Sequence, residues 1–373
     1  MIPALRYYGP KQLRVESVPP VLCGRREVRI RVAYCGICGS DVHEYEHGPI
    51  FIPPAGARNP HTGLELPVTM GHEFSGTITE IGSGVTNLFI GQNVVVDPVV
   101  HDRHYGLPAC EACRNGVYNV CQRSAVCGLA HPGGGLAQET VVRASLCIPL
   151  PNSLSLKTGA LVQPLTIAWH AIRISGFKTG NRALVCGAGP VGLAILVLLR
   201  TWGARTIIVS EVAEARIRQA EMFGADLVVN PSNAPEILET TNVAELVRAA
   251  VEEVTSGTMV DVAFMAASHQ SVLDAAVAST RIGGTILNAA VHATPLQIQL
   301  NDLTFSEKRL LSSMRATDED WKGVLEALDQ GLVPDVDAMI TSIVPLSKAI
   351  DGAFLELINN TSAHVKILVE PDQ

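Results

Sequence analysis

The run Gly187-Ala188-Gly189-Pro190-Val191-Gly192 constrains this chain more than any other feature, because of what flanks it. Ahead of it, Asn181-Arg182-Ala183-Leu184-Val185-Cys186 has the continuous apolar character of a buried strand; behind it, Leu193 to Leu199 is an apolar helical run. A lone G-x-G-x-x-G match is weak evidence, and many such runs are ordinary turns. Between a strand and a helix it is the phosphate-binding turn of a dinucleotide-binding βα unit. The glycines permit the tight turn and close backbone approach, and the helix N-terminus offers unpaired amides to a pyrophosphate. Gly187, Gly189, Pro190, Val191 and Gly192 are therefore the candidate cofactor-binding residues.

The next strand, Thr206-Ile207-Ile208-Val209, ends at Ser210-Glu211, where an acidic residue hydrogen-bonds a ribose 2′-hydroxyl. A carboxylate there repels a 2′-phosphate, so Glu211 favours NAD over NADP; the competing reading is a solvated charge at a strand end. Arg216 and Arg218 lie close in sequence and soften the preference. Further βα units at residues 226–229, 260–264 and 283–288 predict a parallel, doubly wound sheet.

A chain of 373 residues is long for one core, so two domains are expected. Its net charge of -8 and scattered basic residues argue against a nucleic-acid surface and for a small-molecule partner. The start Met1-Ile2-Pro3-Ala4-Leu5-Arg6 lacks an apolar signal core, and the longest apolar run is broken by glycines and a proline. The expectation is a cytoplasmic protein with no membrane span. Its nine cysteines, an odd number, read as metal ligands or free thiols.

The N-terminal half has a different character. Glu27 to Tyr34 alternates with a strand's period of two and runs into Cys35-Gly36-Ile37-Cys38-Gly39-Ser40-Asp41-Val42-His43. Gly71-His72-Glu73 follows. Thiolate and imidazole together suit a borderline-soft ion such as Zn²⁺, so Cys38 and His72 form a plausible pair from two loops. Neighbours on a strand point to opposite faces, so His72 and Glu73 are expected to divide, one on the metal and the other in support. For each segment alone, the bland alternative is a buried Cys and a surface His. Cys110, Cys113 and Cys121, spaced C-x2-C-x7-C, suggest a metal lobe lacking one ligand; His101, Asp102, His104 or Cys127 would supply it, or the lobe has lost its metal. Between the halves stands Leu161-Val162-Gln163-Pro164-Leu165, a helix start or linker whose amide, Gln163, is able to hold a metal or a substrate.

Together, Gly36-Ile37-Cys38-Gly39-Ser40-Asp41, Gly71-His72-Glu73, the three-cysteine lobe, Pro164-Leu165 with Trp169-His170, and the dinucleotide fingerprint resemble the zinc-dependent medium-chain alcohol dehydrogenases. Residues 45–53, Leu300-Asn301-Asp302-Leu303 and 364–369 are most similar to the (R,R)-butanediol and sorbitol dehydrogenase branch. The resemblance implies an α/β protein: a GroES-like, β-rich catalytic domain over 1–164 and 317–373, and a Rossmann domain over 165–316. It implies an NAD-dependent dehydrogenase of secondary alcohols, diols or polyols, assembled as a homodimer or homotetramer near Arg309-Leu310-Leu311-Ser312. By motif match, Cys38 and His72 are catalytic zinc ligands, with Glu73 behind or entering the metal's shell. Asp41 orients His72, Ser40 and His43 relay the alcohol proton, and Lys366 pairs with Glu73.

Three departures stand out. Position 163, the matching third ligand, is Gln where the branch usually has Glu, which weakens the hold on zinc while leaving a retained zinc the stronger Lewis acid. Leu107 lies where the lobe's first cysteine is expected, which leaves a structural zinc doubtful. Met265-Ala266-Ala267-Ser268 lacks a customary acidic residue and glycine near the cofactor. The alternatives to a zinc dehydrogenase are a zinc-independent reductase of an activated C=C or C=O bond and an inactive nucleotide-binding protein.

Overall fold

Along residues 27–32, Val28, Ile30 and Val32 are buried while Arg31 is exposed, and this alternation builds the central strand Glu27–Gly36. In the computed structural model, which describes residues 1–233, 242–292, 294–360 and 362–371, that strand pairs antiparallel with Glu73–Ile81, Glu139–Arg143 and Lys366–Glu370. The chain divides into two compact units, Met1–Gln163 with Val336–Gln373, and Pro164–Asp335.

The first unit is β-rich. Its largest sheet runs, in spatial order, Cys147–Pro149, Asn93–Val96, Glu73–Ile81, Glu27–Gly36, Lys366–Glu370 and Ile340–Pro345. Leu5, Ile30, Val32, Phe74, Ile78, Val94 and Ile367 are among the side chains of its core. Lys366–Glu370, from the end of the chain, lies directly beside Glu27–Gly36.

The second unit is a parallel six-stranded sheet in the order Leu227–Val229, Thr206–Ser210, Arg182–Cys186, Val260–Met265, Thr280–Asn288, Arg309–Ser312. Numbered by sequence within the unit, this is the 3-2-1-4-5-6 order of the dinucleotide-binding fold, with the reversal beside Arg182–Cys186. The helix Pro190–Thr201 is buried all round from Leu193 to Leu199, as a helix without a polar face must be.

The second segment of the first unit begins at Val336, not near residue 317. Helix Asp318–Asp329 stays in the second unit because Asp320 bonds His170 and Arg173 of helix Val162–Ser175, and Trp321, Val324 and Leu328 are buried. Among the described residues no helix is long and apolar enough to cross a membrane.

Candidate active site

Helix Gly39–His47 begins at Cys38 because Asp41, its third residue, reaches back: Asp41 Oδ2 accepts from Cys38 N at 3.0 Å. The other oxygen of the same carboxylate, Oδ1, lies 3.3 Å from His72 Nδ1, and Asp41 is fully buried. One side chain thus fixes the backbone of Cys38 and the ring of His72 together. Asp41 stands beside Nδ1 of His72, while Nε2 of the ring lies near Ser40 Oγ.

Ligand atoms of Cys38, His72 and Glu73 lie within 4.8 Å of one another. His72 and Glu73 thus stand close together although they are neighbours in sequence. The strand begins at Glu73, and His72 precedes it on a turn where Gly71 has φ +96°, so strand alternation does not separate the two side chains. Glu73 Oε2 also accepts from Lys366 Nζ at 2.6 Å, and Lys366 donates to the Ile37 carbonyl at 3.1 Å. Burial opposes protonation of His72, yet the charge of Asp41 close to its Nδ1, with the neighbouring Cys38 thiol, carries its pKa well above the ordinary imidazole value. Burial likewise opposes the Lys366 charge, and the Glu73 carboxylate beside it more than compensates. A half-buried thiol gathered with a buried imidazole and a buried carboxylate, the imidazole beside Asp41 and the carboxylate paired with Lys366, fits a zinc ion.

Ser40 Oγ is 3.3 Å from His72 Nε2, while His43, one turn on, is exposed. The helix thereby runs from the donor group toward solvent. Gln163 is the second residue of helix Val162–Ser175 and is partly buried.

In the second unit, the three glycines of the fingerprint are glycine for different reasons. Gly187 has φ +99°, which penalises any Cβ. A Cβ on Gly192 would collide with the Gly187 carbonyl. Neither reason applies to Gly189, whose φ is -67° and whose missing Cβ would meet no atom within 4 Å. The open space there, at the N-terminus of helix Pro190–Thr201, fits a pyrophosphate approaching the backbone. Pro190 takes the first helical position and Val191 follows it.

Glu211 is 7% exposed; its Oε2 accepts from Ala188 N at 2.7 Å and its Oε1 from Val212 N and Ala213 N. It is therefore no solvated strand-end charge but is locked against the glycine loop. Arg216 is partly buried on the helix that follows, and Arg218 pairs with Glu214 on the surface.

Two residues escaped the sequence reading. Glu44, fully buried, accepts from the amides of Ile50 and Phe51 and ties the loop after the helix to it. Arg123 donates to Asp102 at 2.7 Å beside the cysteine lobe. Neither has a local signal, since each is defined by a partner's place in the fold.

The family profile described as "Alcohol dehydrogenase GroES-like domain" matches residues 24–152, and "Zinc-binding dehydrogenase" matches residues 190–330. The (R,R)-butanediol dehydrogenase of Saccharomyces cerevisiae is 36% identical over 93% of this chain and 91% of its own. A probable diacetyl reductase [(R)-acetoin forming] of the same yeast is 35% identical over 99% of this chain and 90% of its own. The crystal structure of 2R,3R-butanediol dehydrogenase from Bacillus subtilis superposes with a TM-score of 0.89 at 35% identity, covering 100% of both chains. The family carries zinc and a nicotinamide cofactor, and its members are oxidoreductases. With both halves matched and both sites built from its motifs, the chain belongs to the zinc-dependent medium-chain alcohol dehydrogenases, on the side of the family that holds the (R,R)-butanediol dehydrogenases.

Proposed function

We propose that this enzyme moves a hydride between NAD(H) and a vicinal diol, polyol or related secondary alcohol, or the corresponding ketone. The observation that carries the reading is the gathering of Cys38 with the buried His72 and Glu73, with Asp41 beside the first two and Lys366 paired to Glu73. Cys38 and His72 hold the zinc, with Glu73 or Gln163 completing its shell. Bound there, zinc supplies a Lewis acid at the substrate oxygen, and the nicotinamide supplies the hydride acceptor.

The chain's own residues do the rest. Asp41 keeps the His72 ring oriented, so its Nε2 stays available. Ser40 takes the alcohol proton, and His43, one turn further along the same helix and exposed, releases a proton to water. Gly187, Gly189 and Gly192 with the amide of Val191 receive the pyrophosphate, and Pro190, which has no N–H, sets the first helical turn. Glu211 supports NAD over NADP, because its fixed carboxylate repels a 2′-phosphate.

The unpaired edge of Arg309–Ser312, with Leu310 exposed, suits a homodimer or a homotetramer built from it. All nine cysteines are free, which suits a reducing, cytoplasmic setting.

The test is turnover of (R,R)-butanediol, acetoin and polyols with NAD and NADP, beside zinc analysis of wild type and Cys38→Ser. The expected result is NAD-preferring turnover that disappears with the zinc of the Cys38 site. Full activity after chelation would instead point to zinc-independent reduction.

A further inference from the structure

Helix Gly39–His47 ends on His43-Glu44-Tyr45-Glu46-His47, an H-E-x-x-H run of which the proposed reaction uses only His43. In zinc peptidases such a run puts two histidines, one helical turn apart, on a metal and sets the glutamate beside it as a base. The glutamate has no such freedom in this fold. Glu44 is fully buried, and its carboxylate accepts from Ile50 N at 3.1 Å and from Phe51 N at 2.8 Å. Peptidase chemistry therefore lacks its base, and what survives of the run is a pair of histidines, both exposed to solvent.

Four residues apart on a helix, His43 and His47 are neighbours on one face. Their ring centroids are 6.3 Å apart, with the ring planes inclined by 31°. An ion bound to a ring nitrogen at about 2.0–2.1 Å lies about 3.2 Å from the centre of that ring. Two rings on one ion thus have centres about 5.2 Å apart at a tetrahedral angle, and about 6.4 Å apart at most. The observed spacing is inside that limit, and two exposed side chains close the remaining difference of about 1 Å by small χ rotations. The backbone beneath them is fixed. The Glu44 carbonyl accepts from Gly48 N at 2.9 Å and from Tyr7 Oη at 3.0 Å, and the Tyr45 carbonyl accepts from Lys11 N at 2.7 Å. His47 closes the last turn, where the helix dipole favours positive charge.

We propose that His43 and His47 chelate one divalent transition-metal ion, of the class of nickel or zinc, through one ring nitrogen each, and that the ion silences the enzyme by occupying His43. Imidazole suits these ions, and the ligand pair is separate from Cys38, His72, Glu73 and Gln163. Among the described residues no third histidine, cysteine or carboxylate stands close enough to complete the set, so water fills the other positions. The ion takes the nitrogen lone pair with which His43 would carry a proton to water. Chelation stands on the helix geometry alone, whereas the inhibition rests on the relay role proposed for His43.

The experiment is titration of the zinc-loaded, full-length enzyme with nickel(II), followed by calorimetry and by turnover, in wild type and His47→Gln. Zinc content is measured before and after, so that exchange at Cys38 is detected. His47 lies outside the catalytic group, so the variant should keep the basal kcat/KM of wild type. Wild type should bind one nickel ion per chain more than His47→Gln, and the nickel concentration that halves turnover should be roughly tenfold higher in the variant. Equal nickel binding in the two proteins would overturn the chelate. Loss of the extra ion with unchanged inhibition would overturn its effect on turnover. A chain that binds the extra nickel yet turns over no alcohol would uphold the chelate and locate the failure in the dehydrogenase reading.

Discussion

Lys366 Nζ lies 2.6 Å from Glu73 Oε2, and both side chains are 1% exposed. A buried pair of this kind is costly to break from one side, because the remaining charge has no water to turn to. Lys366→Met should therefore destabilise the protein by about 3–5 kcal/mol in urea unfolding. The double variant Glu73→Gln, Lys366→Met should recover much of that loss. Equal destabilisation in single and double variants would show that packing of the lysine stem, and not the charge, is what matters.

Gly189 separates cofactor binding from folding. Its φ is ordinary and a Cβ would meet nothing within 4 Å, so Gly189→Ala should unfold within about 0.5 kcal/mol of wild type. Affinity for the dinucleotide should nevertheless fall, measured by fluorescence titration with NADH. Gly192→Ala, whose Cβ would strike the Gly187 carbonyl, should lose stability as well. Unchanged NADH affinity in Gly189→Ala would place the pyrophosphate elsewhere.

For Glu211, removal of a charged hydrogen-bond acceptor worth about 1.5–3 kcal/mol should raise KM for NAD by roughly tenfold or more in Glu211→Ala. The ratio of kcat/KM for NAD over NADP should drop in the same variant. A ratio that does not move would show that the carboxylate serves only the amides of Ala188, Val212 and Ala213.

Acid sensitivity should be concentrated at Asp320. Burial pushes its carboxyl up, but hydrogen bonds from His170, Arg173 and Thr317 outweigh burial and hold it well below the usual carboxylate range. A carboxyl depressed by folding contributes stability that is fully present above its unfolded value, about 4, and is lost as pH falls through the folded one. The Tm of wild type should fall as pH drops below about 4. Asp320→Asn should be less stable near neutrality by about 3–5 kcal/mol and show a shallower acid decline. Parallel Tm curves would remove Asp320 from that account.

At position 163 the prediction concerns metal retention. Gln163→Glu adds a negative charge to the shell proposed for the catalytic zinc and should slow zinc loss to a chelator by roughly tenfold, a difference of about 1.4 kcal/mol. Identical loss rates would put residue 163 outside the shell.

Local sequence carried the features that depend on neighbours in the chain. The strand, glycine turn and apolar helix at residues 181–199 are contiguous, so their backbone requirements are written side by side, and the parallel sheet follows from repeated units. Cys38 and Asp41 are three residues apart and meet through a helix cap that a sequence can encode by itself. The motif match extended this to the Cys38 and His72 pair and to Lys366 beside Glu73.

Tertiary structure decided what depends on distant segments and on where an element ends. The approach of His72 and Glu73 turns on the strand beginning at one and not the other. Which of His101, Asp102, His104 and Cys127 stands beside the cysteines was open in the sequence, whereas in the fold Asp102 groups with Cys110, Cys113 and Cys121 and is held by Arg123, a residue 21 positions away. Helix Asp318–Asp329 stays with the second unit through Asp320 and His170, partners 150 positions apart. Short-range patterns specify backbone conformation, whereas a buried charge takes whichever partner the folded chain delivers, and that delivery is a property of the whole packing.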